Sequence, residues 1–116
     1  YAAMALLRAM MTGHAGACTL HADSPEEALR RLATLLGSEK GVSPHDATRM
    51  IASSVDLLVQ INIIDEVRRV TAIARLEKLS RDEDARITHL WRYDEQNSTP
   101  GQPRWLQVGT ALEAAA

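Results

Sequence analysis

An α/β fold, with a mixed sheet whose antiparallel strands gather toward the C-terminus, is predicted by three observations. Ser24-Pro25-Glu26-Glu27 and Ser43-Pro44-His45-Asp46 each set a hydroxyl cap, a proline and acidic charge in front of an apolar pattern of helical period. Leu57-Leu58-Val59-Gln60-Ile61-Asn62-Ile63-Ile64 is an almost continuous apolar run of strand length. From Glu66 onward the apolar spacing turns toward alternation, the pattern of antiparallel strands.

Residues 2–11 are rich in Ala, Leu and Met, strong helix formers, carry Arg8 as their only charge and meet Gly13 just beyond, so a helix buried on more than one side is expected. A chain that opens on Tyr1 and runs straight into such a pattern is expected to be a piece of a longer one. Residues 17–22, short and bounded by Gly16 and Asp23, read as a strand. The helix from Pro25 is expected to line one face with Ala28, Leu29, Leu32, Leu35 and Leu36, to turn Arg30 and Arg31 to solvent, and to stop at Gly37. A loop carrying Gly41 follows over residues 38–42.

A second helix is expected from about Pro44 to Ser53 or Ser54, with Ala47, Met50 and Ile51, and Val55 as an open addition, forming its apolar stripe. Asp56 breaks it. The run from Leu57 to Ile64 has the pattern of a strand covered on both faces. Residues 67–79 alternate imperfectly, and 85–93 alternate better, with Ile87, His89 and Trp91 on one side against Thr88, Leu90 and Arg92. Residues 80–84 are expected to form a charged hairpin loop between them. Residues 94–103 are turn-rich, 104–108 suit a last short strand, and 110–116 are expected to be an unanchored tail. The division that follows is a domain portion over 1–93 and a tail over 94–116.

With 116 residues, 46% of them hydrophobic and 24% charged, the chain has the size and composition of one soluble globular domain. A net charge of -2 gives no electrostatic case for nucleic acid. Cys18 is the only cysteine, so no intrachain disulfide is possible, and a buried thiol in a reducing compartment is expected. No apolar run approaches the ~20 residues of a membrane span, and no basic leader precedes a hydrophobic segment.

His14 and His21 stand seven positions apart, the first after Thr12-Gly13 and the second at the end of the expected strand, where open α/β sheets present ligand-facing groups. The plain alternative is a pair of hydrogen-bonded surface histidines. A zinc site would need two further ligands from such residues as Cys18 or Asp23. Strand alternation would send Cys18 and His21 to opposite faces, and neither Cys-x-x-Cys nor His-Glu-x-x-His occurs, so no metal site is expected. Gly-x-Ser-x-Gly is absent, and Lys40-Gly41 is the wrong arrangement for a phosphate loop.

The run Ala9-Met10-Met11-Thr12-Gly13-His14-Ala15-Gly16-Ala17-Cys18-Thr19-Leu20-His21-Ala22-Asp23-Ser24-Pro25, with Ile51-Ala52-Ser53-Ser54-Val55-Asp56-Leu57-Leu58-Val59-Gln60, closely resembles the C-terminal half of the ATP-binding domain in the type II and type IV secretion ATPase superfamily. The nearest branch is similar to the Tad/Flp pilus-assembly and conjugation-type traffic ATPases. The resemblance covers residues 3 to about 93. It implies the C-terminal part of a RecA-like P-loop NTPase domain, assembled as a hexameric ring on the cytoplasmic face of the inner membrane. Other copies of the protein and inner-membrane secretion or pilus platform proteins are the implied partners, with no direct contact to nucleic acid.

The resemblance further implies ATP and Mg2+ as cofactors and ATP hydrolysis as the activity, driving secretion, pilus assembly or conjugative transfer. His14 and His21 match the family's histidine box as catalytic residues, with Thr12, Gly13, His14 and His21 against the nucleotide and the second histidine near its phosphates. In the family the Walker A and Walker B motifs precede this box; neither occurs here, so the chain alone is expected to be inactive and to hold ATP weakly. The alternative is a relative that has lost catalysis and acts as a structural or interaction module. Met11, Ala17 and Arg75 replace the usual Asn, Ser and Glu, and Glu66-Val67 replaces the usual Asp-Gly turn.

Overall fold

The computed structural model describes Ala9, residues 16–78 and residues 85–109. The expected first helix lies outside the described residues except at Ala9, which is helical. Helix α1, Pro25–Lys40, begins as its local chemistry dictates. Ser24 is the N-cap, its Oγ accepting the Glu27 N–H at 3.1 Å, Pro25 fills the first position and Glu26 and Glu27 meet the positive end of the helix dipole.

The helix runs through Gly37 and stops at Gly41, whose φ of 67° allows its N–H to close on the Gly37 carbonyl at 2.7 Å. Gly37 is therefore not the stop that the sequence suggests. A Cβ there would stand 3.3 Å from the Val42 carbonyl oxygen, so the small residue admits the returning chain.

Helix α2, Pro44–Ala52, repeats the same start, with Ser43 Oγ accepting the Asp46 N–H at 3.1 Å. It buries Ala47 and Ile51 completely. Against them pack Ala33 and Leu36 of α1, with Leu29, Leu32, Met50 and Val55 at the margin. Leu35, expected on this face, is 47% exposed instead. Ala33 takes the inward place, since it lies three residues before Leu36 and four after Leu29 on the helical surface.

The four strands are β1, Leu57–Ile64, β2, Val67–Lys78, β3, Ala85–Tyr93, and β4, Trp105–Gln107. They form one sheet in the order β1-β2-β3-β4, every pair antiparallel. The expected strand over 17–22 does not form, so the mixed sheet predicted from sequence is antiparallel throughout the described residues. Asp65 and Glu66, at φ 52° and 66°, make the two-residue turn between β1 and β2, matching the right-handed twist of the strands they join.

Two register shifts explain the imperfect alternation. Gln60 pairs with Ala72 but Ile61 with Val70, leaving Thr71 as an extra residue on β2. Ala74 pairs with His89 but Ile73 with Trp91, leaving Leu90 extra on β3. Adjacent residues Ile73 and Ala74 point to opposite faces, so Trp91 leaves the face shared by Ile87 and His89, contrary to the sequence reading.

Leu76, Ala85 and Ile87 join the helical core, placing both helices on one face of the sheet. The other face of β1 stays open. Leu57, Val59, Ile61 and Ile63 are 53 to 69% exposed, so the expectation of a strand covered on both faces fails within the described residues. At the far edge, Trp105 Nε1 donates to the Val70 carbonyl at 2.7 Å and its ring meets Tyr93 edge-on, anchoring β4 within the turn-rich end. Residues 110–116 lie outside the described residues.

Candidate functional site

Residues 16–22 approach α1 without joining a strand, and each of 16–21 is exposed. His21 is thus an accessible imidazole two residues before the Asp23-Ser24 cap. Cys18 is exposed as well, correcting the expectation of a buried thiol: among the described residues no strand over 17–22 turns its side chain into a core. Thr12, Gly13 and His14 lie outside the described residues, so the structure places one of the two candidate histidines.

The backbone beside His21 is held from several directions. Gln60 Nε2 on β1 donates to the Ala22 carbonyl at 2.8 Å. Glu27 reaches back along α1, its Oε2 accepting the Asp23 N–H at 3.3 Å and its Oε1 accepting from Arg31 Nε at 3.0 Å. His89 on β3 donates from Nε2 to Glu26 Oε1 at 2.5 Å, since a carboxylate can only accept. That hydrogen bond is the main reason the Glu26 carboxyl sits below its ordinary value, against a smaller opposing effect of burial.

Sequence reasoning missed Gln60 and the His89–Glu26 pair. Gln60 left a signal, being with Asn62 one of two polar residues within an otherwise apolar strand. The pair left none, because its members stand 63 residues apart. A groove of about 610 Å3 also opens between α1, the start of α2 and β3, with Glu26, Arg30, Pro44 and Ile87 among its walls.

Among the described residues no three of His, Cys, Asp and Glu converge as metal ligands. Nor does Gly-x-x-x-x-Gly-Lys-Ser/Thr occur in the 116 residues. Among the described residues of the site, His21 is an exposed imidazole on a segment braced by Gln60.

The family described as type II/IV secretion system protein matches residues 2–97. The chain belongs to this family. Its match takes in both candidate histidines, both helices and β1 to β3, and stops short of β4. No curated protein matches the chain. Membership in the type II/IV secretion system family supports a role in secretion or pilus systems. Among the described residues, no helix of this family member is long and apolar enough to cross a membrane.

Proposed function

We propose that this chain is the C-terminal part of a RecA-like nucleotide-binding domain in a traffic ATPase, nearest the Tad/Flp pilus-assembly and conjugation-type branch. Residues 1–93 form the domain portion and 94–116 its tail. Hydrolysis of ATP drives secretion, pilus assembly or conjugative transfer. The observation that carries this reading is the family match over residues 2–97, which contains the Thr12-Gly13-His14 and Thr19-Leu20-His21-Ala22-Asp23 box.

In this reading, the phosphate loop, whose Gly-x-x-x-x-Gly-Lys-Ser/Thr pattern is absent from the sequence, and the carboxylate that manages magnesium come from outside these 116 residues. Magnesium-bound ATP supplies the phosphoanhydride bond that is cleaved. His21 donates a ring N–H to a phosphoryl oxygen, where negative charge must be stabilised as the bond breaks, and its exposure leaves it free to do so. Thr12, Gly13 and His14 contact the same nucleotide. Copies of the protein form a hexameric ring, peripheral to the inner membrane on its cytoplasmic side, and act on secretion or pilus platform proteins. A net charge of -2 fits a role without direct nucleic-acid binding.

The test is His21→Ala in the full-length protein. Turnover is expected to fall about a hundredfold, the equivalent of roughly 3 kcal/mol of lost transition-state stabilisation. Thermal melting and ring assembly should be unchanged, because an exposed side chain contributes little to packing. Unchanged turnover would remove His21 from the catalytic set. A full-length protein with neither a phosphate loop nor ATP turnover would instead support the interaction-module alternative.

A further inference from the structure

We infer that Gln60 and His89 are positioning residues, reaching from the sheet to hold the Ala22 carbonyl on one side of Asp23 and the Glu26 side chain on the other, and so setting where His21 stands. The inference rests on the reading of His21 given above.

Among the described residues, 16–22 pair with no strand, and two side chains of the sheet reach the approach to α1. Gln60 is half-buried on β1, in register with Ala72 on the helix-facing side of the sheet, and its amide donates to the Ala22 carbonyl at 2.8 Å. A half-buried amide is costly to leave without a partner, so this bond fixes the peptide unit one residue beyond His21.

Further on, His89 holds Glu26 at 2.5 Å in the first turn of α1. Between these two attachments, Glu27 accepts the Asp23 N–H and Ser24 Oγ accepts the Glu27 N–H, closing the cap on itself. Ala22, through its carbonyl, and Glu26, through its side chain, are therefore attached to two different strands, and His21 is the residue immediately outside this clamp. A contact useful only in the transition state depends on sub-ångström placement, so loosening the clamp should slow turnover although neither Gln60 nor His89 touches the nucleotide.

The experiment is steady-state ATP hydrolysis by the full-length protein carrying Gln60→Glu, His89→Ala, His89→Gln and His21→Ala, alone and with Gln60→Glu and His21→Ala combined. Gln60→Glu keeps the side chain's size but turns a carboxylate on the Ala22 carbonyl. The expected result is a kcat lowered about tenfold with the KM for ATP within about twofold, the signature of a lost transition-state contact. His89→Ala should lower kcat about threefold, and His89→Gln, whose amide can still donate, should restore it. Gln60→Glu should add nothing once His21 is already Ala, because both changes remove one contact.

If His21→Ala is slow but Gln60→Glu and His89→Ala turn over at the wild-type rate, the inference is overturned and the role of His21 stands. If His21→Ala is itself at the wild-type rate, the reading of the site fails and the inference with it. A Gln60→Glu effect that adds in full to His21→Ala, or that falls on KM, marks general support of the fold and overturns the inference. Should Gln60→Glu fail to assemble, the comparison of His89→Ala with His89→Gln decides alone, since that contact is exposed enough to be lost without unfolding.

Discussion

Glu26 and His89 join the first turn of α1 to β3, Oε1 to Nε2 at 2.5 Å, across 63 residues of sequence. Because this bond favours the ionised carboxylate, the folded protein holds Glu26 below its ordinary value of 4.5. A carboxyl depressed by folding binds protons less readily in the native state than in the unfolded one. Its stabilisation is complete above the unfolded value and disappears as pH falls through the folded one.

Wild type should therefore be more stable than Glu26→Gln near neutral pH, and the gap should close below pH 4.5. Both side chains are more than a third exposed, at 38% for His89 and 47% for Glu26, so solvent screening weakens the pair. The gap at neutral pH should stay under about 1 kcal/mol. Urea midpoints across a pH series measure it, and a gap independent of pH would refute the assignment.

The turn between β1 and β2 places Asp65 and Glu66 both in the left-handed region, at φ 52° and 66°. Neither has glycine's freedom there. Glu66→Gly should relieve steric cost at that position and return part of it as unfolded-state entropy, for a net gain of roughly 0.5 kcal/mol. Glu66→Val should lose stability, because a β-branched residue tolerates this conformation worse. Melting temperatures of the two variants in the same buffer give the comparison, and a stabilised valine variant would contradict the turn geometry.

Leu35 and Leu36 are neighbours of the same residue type with opposite environments, 47% and 0% exposed. Leu36→Ala leaves a cavity against Ala47, Ile51 and Leu76 and should cost about 2 to 5 kcal/mol. Leu35→Ala removes surface already in water and should change stability by less than about 0.5 kcal/mol. Equal losses in the two variants, by denaturant titration, would place the buried face of α1 elsewhere.

Much of this architecture was legible before any coordinates. Ser24-Pro25 and Ser43-Pro44 announce helix starts because capping is a contact between residues three apart. β1 and β3 fall at the expected residues, and β2 and β4 within one or two of them, because apolar run length and turn residues are local too. Of the candidate site, the position of His21 before a capped helix was readable. The bracing by Gln60 and His89 was not, since those partners lie 38 and 63 residues from the groups they hold.

The residues themselves determined family membership, the two helix starts and the antiparallel pairing of β2 with β3, each carried by neighbours in sequence. Only the tertiary structure decided that Gly37 is a point of close approach rather than a helix end, because that depends on where Val42 returns. It likewise decided that Ala33 rather than Leu35 turns inward, and that Trp91 crosses to the other face of the sheet. A single extra residue in a strand reverses every side chain beyond it, and alternation read along one strand cannot show where its neighbour skips. The segment at 17–22 has the composition of a strand, but a strand exists only where a neighbouring backbone supplies the hydrogen bonds, and among the described residues none pairs with it.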